Sequence, residues 1–312
     1  MARADDLPRP AAARDHSGRH HDHGEPLNPA ALVELTKPRI TQLVLLTAAA
    51  GFYLAAPARD RLDLLLLVHT LLGTALVAAG TNAWNQVRER DVDARMRRTR
   101  RRPLPAGRLT AAAAAWFASA ITVTGVAYLA VTVNLLTAGL AAVTFACYVF
   151  LYTPLKRRTS LNALVGAVPG ALPIVGGWTA AGGELNVAVA ALFWILFLWQ
   201  LPHVLALGWL YREDYQAGGL RMLSVSDADG RETARMALLY ALALLPISLV
   251  PTLLGLTGAT YFFGALALGV LYVAAGAPLL VAATPDRAWR LFFVSIVYLP
   301  ALLTLMVLDK VA

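Results

Sequence analysis

The chain of 312 residues contains one cysteine, Cys147, so no intrachain disulfide can form, and its place inside an apolar run makes it a small packing residue. Charge is scarce: 15% of residues are Asp, Glu, Lys or Arg, and acids are the rarer sign, 19 against 27 bases. A self-solvating acidic chain is thereby excluded. No Gly-rich dinucleotide or ATP-binding loop occurs, which leaves redox and nucleotide-driven chemistry without a signature. What fills the chain is apolar, with 58% hydrophobic residues. That composition is improbable for a soluble domain and suits lipid.

A bilayer-spanning helix needs ~20 mostly apolar residues, and about nine such runs can be read, near 40–54, 62–85, 110–131, 135–152, 161–179, 185–207, 236–256, 261–283 and 291–308. Lys and Arg alternate between the connections. The segments 88–108, 156–158, 212–235 and 287–290 are basic, whereas the connections around 132–134, 182–184 and 258–259 carry no base. By the positive-inside rule the basic loops and the amino terminus face the cytoplasm, with only Arg59, Arg61 and Lys310 on the other side. The excess of base therefore reports topology and membrane electrostatics, and nucleic acid is not an expected partner. Residues 1–30 are polar, hold His16, His20, His21 and His23, and read as a disordered tail of solvated histidines ahead of a membrane domain over 31–312. The tail has no apolar stretch to act as a signal peptide and no Arg- and Ser-rich transit pattern, which favours a bacterial inner membrane.

The first basic loop is entered through NAWNQVRERDVDARMRRTRRRPLPAGRL. Asn85, Glu89 and Asp93 recur every four residues and stack along one helical face, with Asn82 a turn earlier. An amide and two carboxylates at a membrane surface suit Mg²⁺ that keeps waters and bridges to phosphate oxygens. The alternative is plain ion pairing with Arg88, Arg90, Arg97 and their neighbours. The bases that follow at once, Arg97 to Arg102, favour the first reading, since they can hold a departing diphosphate.

The second loop reads FLWQLPHVLALGWLYREDYQAGGLRMLSV. His203 in an apolar span needs a partner or a ligand, and a hydrogen bond within the bundle is the structural alternative. On a continuous helix His203 and Asp214 would share a face ~16 Å apart, too far for contact. For His69, outside any motif, a structural role is favoured.

Asn85, Glu89, Asp93, Met96, Arg98, Thr99, Arg102 and Gly107 match in order and spacing the signature of heme O synthases within the UbiA prenyltransferase superfamily, which this chain resembles. Trp199, Gln200, Pro202, His203, Asp214, Tyr215, Gly218, Gly219 and Met222 match a second motif, and Thr36 to Arg39 and Tyr152 to Asn162 two shorter ones. Glu89 stands where many relatives have Asp, and Leu210 stands where many superfamily members have the first acid of a second pair, leaving Asp214 alone there. The stretch GALPIVGGW lacks the family's adjacent prolines and reads as packing variation.

The resemblance implies an all-α membrane protein of about nine helices around a central apolar cavity, capped by two large cytoplasmic loops and open sideways to lipid. It implies transfer of a farnesyl group from farnesyl diphosphate to a vinyl group of heme B, with addition of water, giving heme O. In that reaction Asn85, Glu89, Asp93 and Asp214 serve Mg²⁺ and catalysis, Arg98, Arg102 and Lys156 hold diphosphate, and His203, with Tyr215, contacts substrate, His203 as a candidate axial ligand of heme. A heme A synthase is the candidate partner that would take the product. Two competing readings are prenylation of an aromatic acid or quinone precursor and a non-enzymatic carrier. The carrier reading demands ionisable groups through the spans, which are almost free of them.

Overall fold

The computed structural model describes residues 29–56 and 62–311, so the histidine-bearing tail, Arg59 and Arg61 lie outside the described residues. A short helix, α1 (Pro29–Leu35), precedes α2 (Pro38–Ala55), α3 (Leu64–Arg95) and α4 (Ala111–Thr132). Next, α5 (Leu135–Ala146) widens into a π-helical stretch, Cys147–Tyr152, and ends in α6 (Thr153–Leu155). Then come α7 (Asn162–Ala180), α8 (Val187–Leu210), the short α9 (Arg212–Ala217) and α10 (Leu223–Ser226), and α11 (Arg231–Leu253). The chain closes with α12 (Ala259–Gly276), a 3₁₀ turn and α13 (Pro285–Leu308). No strand occurs among the described residues; one isolated bridge joins Thr257 to Lys310.

Local sequence signals set these boundaries. Asp63, Thr110, Asn134, Asn186 and Thr284 each accept a backbone N–H from the first turn of the helix they precede, which satisfies donors that lipid cannot. Pro38 takes the first position of α2, where its missing N–H is harmless. The π-helical stretch lies just before Pro154, whose ring and absent donor disturb the regular ladder over the preceding turn.

Eight helices among the described residues are long and apolar enough to cross a membrane. The expected count is about nine; the remaining run is α2, whose first five residues hold Pro38, Arg39 and Gln42 and which falls short of that measure although it packs against α3 and α7. The helices pack in a ring. α2 lies between α3 and α7, then α3, α4, α5 and α7 follow one another, α7 meets α8, and α8 with α11, α12 and α13 completes the second half. Along the α2–α7 seam the backbones nearly touch: a Cβ on Gly177 would stand 1.8 Å from the carbonyl oxygen of Ala48, and one on Gly51 2.0 Å from that of Ile174. GALPIVGGW is thus a packing segment. Between α13 and α2 contact is sparse, and the seam is tied at one end, where the Lys310 ammonium donates to the carbonyls of Tyr53 (2.8 Å) and Ala56 and stands over the Tyr53 ring.

Candidate active site

Helix α3 runs ten residues past the apolar run that announced it, to Arg95, and so carries Glu89 and Asp93 in regular register with Asn85. All three are buried. Each is held by a cation from a different part of the chain. The Lys37 ammonium donates to Asn85 Oδ1 at 2.8 Å, Lys156 Nζ lies 2.9 Å from Glu89 Oε1, and Arg102 Nη1 donates to both Asp93 oxygens at 2.9 and 2.8 Å. The result is a three-rung ladder of ligand-type oxygens and bases along one helix face. The pairing alternative raised from sequence is thus realised in part: Asp93 pairs with Arg102, one of the loop's bases, whereas Asn85 and Glu89 take Lys37 and Lys156 from other segments, and Arg88, Arg90 and Arg97 take no part.

The supports of the ladder come from the helix ends. The backbone of Lys37 is left-handed (φ 48°), and it is the only non-glycine residue with positive φ among the described residues. That turn between α1 and α2 swings the ammonium inward, and strain of this kind persists where surroundings over-determine it. Asn82 reaches the Thr36 carbonyl (3.3 Å), and Gln86 donates to that of Leu35 (2.9 Å), so α3 grips the same turn. Thr153 Oγ1, presented just after the π-helical stretch, accepts from Asn85 Nδ2 at 3.4 Å. Burial pushes Lys37 down to about 7, with repulsion from Arg102 adding to the effect and Glu89 opposing it. Burial also works against the Lys156 charge, but Glu89, with Tyr152 and Tyr148, outweighs it and holds the group well above its ordinary value.

Beneath the ladder opens an apolar cavity with about 850 Å³ of empty volume. Asn82 and Tyr148 stand in its wall, and Val44, Val77, Leu140 and Pro173 from α2, α3, α5 and α7 continue it into the bundle.

Asp214 is not on the ladder. Its two oxygens accept the backbone N–H groups of Arg97 (3.0 Å) and Arg98 (3.3 Å), so it caps the turn after α3 and fastens one loop to the other. The helix is also interrupted at Tyr211 (φ −113°, ψ 25°), between α8 and α9, so the shared face that a continuous helix would give His203 and Asp214 does not arise. Tyr215 packs beside Val92, Met96, Leu220 and Met222 in the same loop-to-loop cluster. Gly218 is there because a Cβ would press on Val92 and Met96. The Arg98 guanidinium turns to the Tyr211 ring, 5.2 Å from its centroid.

His203 sits in the other half of the bundle, stacked between Trp199 (5.4 Å) and Phe292 (4.8 Å), with Nδ1 2.7 Å from Ser295 Oγ. Ser295 already donates its only hydroxyl proton to the Phe292 carbonyl (2.5 Å). In a neutral ring Nδ1 must therefore be the donor, which leaves the lone pair on Nε2. His69 bonds Tyr128 (2.6 Å), the structural role expected of it.

The model of the UbiA prenyltransferase family matches residues 44–297. The chain belongs to the UbiA prenyltransferase family. Among its family relatives, the protoheme IX farnesyltransferase of Solibacter usitatus is 47% identical over 89% of this chain and 98% of its own length. That of Koribacter versatilis is 43% identical over 89% and 92%. In fold the chain is similar to a digeranylgeranylglyceryl phosphate synthase (TM-score 0.75, 16% identity, 90% and 98% covered). It is also similar to a UbiA homologue from Archaeoglobus fulgidus bound to GPP and Mg²⁺ (TM-score 0.62, 14% identity, 88% and 99% covered). Lys37 and Thr153, which fall in the two shorter matched motifs without a site role from sequence, both stand on Asn85; the signal available for Lys37 was a base immediately before the proline that opens a span.

Proposed function

We propose that this UbiA-family membrane enzyme transfers the farnesyl group of farnesyl diphosphate to a vinyl group of protoheme and adds water, giving heme O and diphosphate. The observation that carries the proposal is the ladder that begins at Asn85, one helical turn from Asn82 in the wall of the apolar cavity. It sets charge for a diphosphate directly above space for a prenyl chain.

Asn85, Glu89 and Asp93 fit a hard divalent ion such as Mg²⁺ by donor chemistry. Among the described residues no three His, Cys, Asp or Glu side chains form a self-sufficient cage, in keeping with an ion that completes its shell with water and phosphate oxygens. Bound there, such an ion would neutralise charge on the leaving diphosphate. Lys37, Lys156 and Arg102, each now on an acid or amide oxygen, can turn to the diphosphate oxygens over a hydrogen-bond length, and they stabilise the anion as the allylic C–O bond breaks. The apolar wall around Val44, Val77 and Leu140 keeps water from the allylic carbon. The vinyl group attacks that carbon, and water then adds to the carbon beside the macrocycle, releasing a proton. His203, with its lone pair on Nε2, is the candidate contact to heme iron. Asp214 acts by positioning the loop that carries Arg102.

On this reading the amino-terminal turn and the two large loops face the cytoplasm, supported by the loop charges. Residues 31–312 form one catalytic membrane domain, and a heme A synthase is the partner that would receive the product. The test is to incubate the purified protein in detergent with heme B, farnesyl diphosphate and Mg²⁺ and to look for heme O by mass. Absence of heme O, with prenylated 4-hydroxybenzoate formed instead, would overturn the acceptor assignment.

A further inference from the structure

A second cavity, with about 980 Å³ of empty volume and open to solvent, lies where the turn after α3 meets the ends of α8 and α13. Arg97, Trp209, Leu210, Tyr211, Arg212 and Pro285 stand in its wall. Nothing in the transfer chemistry above uses it.

Its polar groups are unevenly engaged. Asp214, also in the wall, has both oxygens committed to the Arg97 and Arg98 backbone, so Glu213 is the acid left free to face solvent. Among the described residues neither Arg97 nor Arg212 forms an ion pair. Arg212 lies over the Trp209 ring (4.6 Å), whose indole N–H is fixed by the Ala283 carbonyl (2.7 Å). A rigid aromatic wall with two unpaired guanidinium groups suits a flat anion bearing carboxylates.

The position of the cavity indicates which anion. Leu210 follows His203 by seven residues on α8, and Phe292 follows Pro285 by seven on α13. Seven residues return to the same helix face, displaced by ~10 Å along the axis. The stacked His203 and Phe292 rings therefore lie under the cavity, along the seam where α8 packs on α13. That displacement resembles the reach from the metal of a porphyrin to its propionates.

We infer that this cavity receives the two propionate carboxylates of the tetrapyrrole acceptor, with Arg97 and Arg212 as their partners. The inference rests on the acceptor being heme, as proposed above. It gives that substrate an orientation: with the propionates at the aqueous mouth, the vinyl groups on the opposite half of the macrocycle are directed into the bundle.

The experiment titrates the full chain in detergent with protoheme and, separately, with protoheme dimethyl ester, following the absorption spectrum. Wild type is compared with the double variant Arg97→Gln/Arg212→Gln, whose fold is checked by circular dichroism and by retained farnesyl diphosphate binding. The expected result is a loss of protoheme affinity on the order of tenfold or more in the variant, with affinity for the ester already weak in wild type and unchanged by the substitutions. Equal protoheme affinity in wild type and variant, or an equal loss for both ligands, overturns the propionate site while leaving the acceptor reading intact. Failure of wild type to bind either ligand overturns both. Restoration of the difference only by anionic phospholipid would assign the arginines to a lipid headgroup and also overturn the proposal.

Discussion

Removing Arg102 from the Asp93–Arg102 pair should be more damaging than removing the Asp93 charge. The Asp93 side chain is 1% exposed and takes both of its charge-assisted bonds from one Arg102 nitrogen, while the Arg102 side chain keeps 24% exposure. Arg102→Met leaves a buried carboxylate without its counter-charge, which typically costs ~3–5 kcal/mol. Lys156 on the next rung and Lys37 on the one beyond move the expectation to the lower end of that range. Asp93→Asn leaves a guanidinium that can reach water and an amide of the same shape, and should cost ~1–3 kcal/mol. In the double variant the buried charge is gone, so its loss should approach that of Asp93→Asn alone, and the coupling then equals the Arg102→Met loss, about 3 kcal/mol. Denaturant unfolding of wild type and the three variants in detergent micelles, without metal or diphosphate, measures this cycle. Additive losses, or an Asp93→Asn loss equal to that of Arg102→Met, would refute the claim that the pair neutralises a buried carboxylate.

Four further outcomes are expected. Asp93→Asn should abolish turnover while the protein remains folded and membrane-inserted; unchanged turnover would remove Asp93 from the catalytic ladder. His203→Ala should impair protoheme binding but retain farnesyl diphosphate binding, and an unaltered heme spectrum and affinity would end its role as iron contact. Gly177→Ala should destabilise the bundle by roughly 1–3 kcal/mol through overpacking of the α2–α7 seam. Gly176→Ala, whose Cβ meets nothing within 4 Å, is its control, and equal effects would contradict the close approach. Finally, Lys37 titrates near 7 in the folded protein, below its ordinary 10.5. The unfolded chain therefore holds more protons between these values, and stability of the ligand-free protein should rise as pH increases from 7 to 10. Lys37→Met should lack that rise, and a Lys37→Met profile parallel to wild type would refute the burial of this charge.

Much of this protein could be read in one dimension because lipid imposes one-dimensional rules. Apolar runs long enough to span, and bases kept on one side, identified the membrane bundle and most of its helices, since unsatisfied backbone and buried charge are too unfavourable in hydrocarbon to permit other solutions. The four-residue recurrence of Asn85, Glu89 and Asp93 also survived into three dimensions, because a helix converts that period into a shared face. The α2 span was harder to judge. Its start holds Pro38, Arg39 and Gln42 directly after the site residue Lys37, and these lower the hydropathy of the whole span.

Partners across long separations were not legible. No spacing rule links Lys37 to Asn85, Lys156 to Glu89 or His203 to Ser295, since each pair is brought together only when separate helices pack. Asp214 illustrates the same limit: acid chemistry suggested a metal ligand, whereas its oxygens are turned to the Arg97 and Arg98 backbone by the break at Tyr211. Sequence alone determined the solvent, the helices and which side chains share a helical face, because these follow from composition and local period. Only the tertiary structure decided which charge meets which and where the cavities open, because those depend on how the packed helices are set against one another.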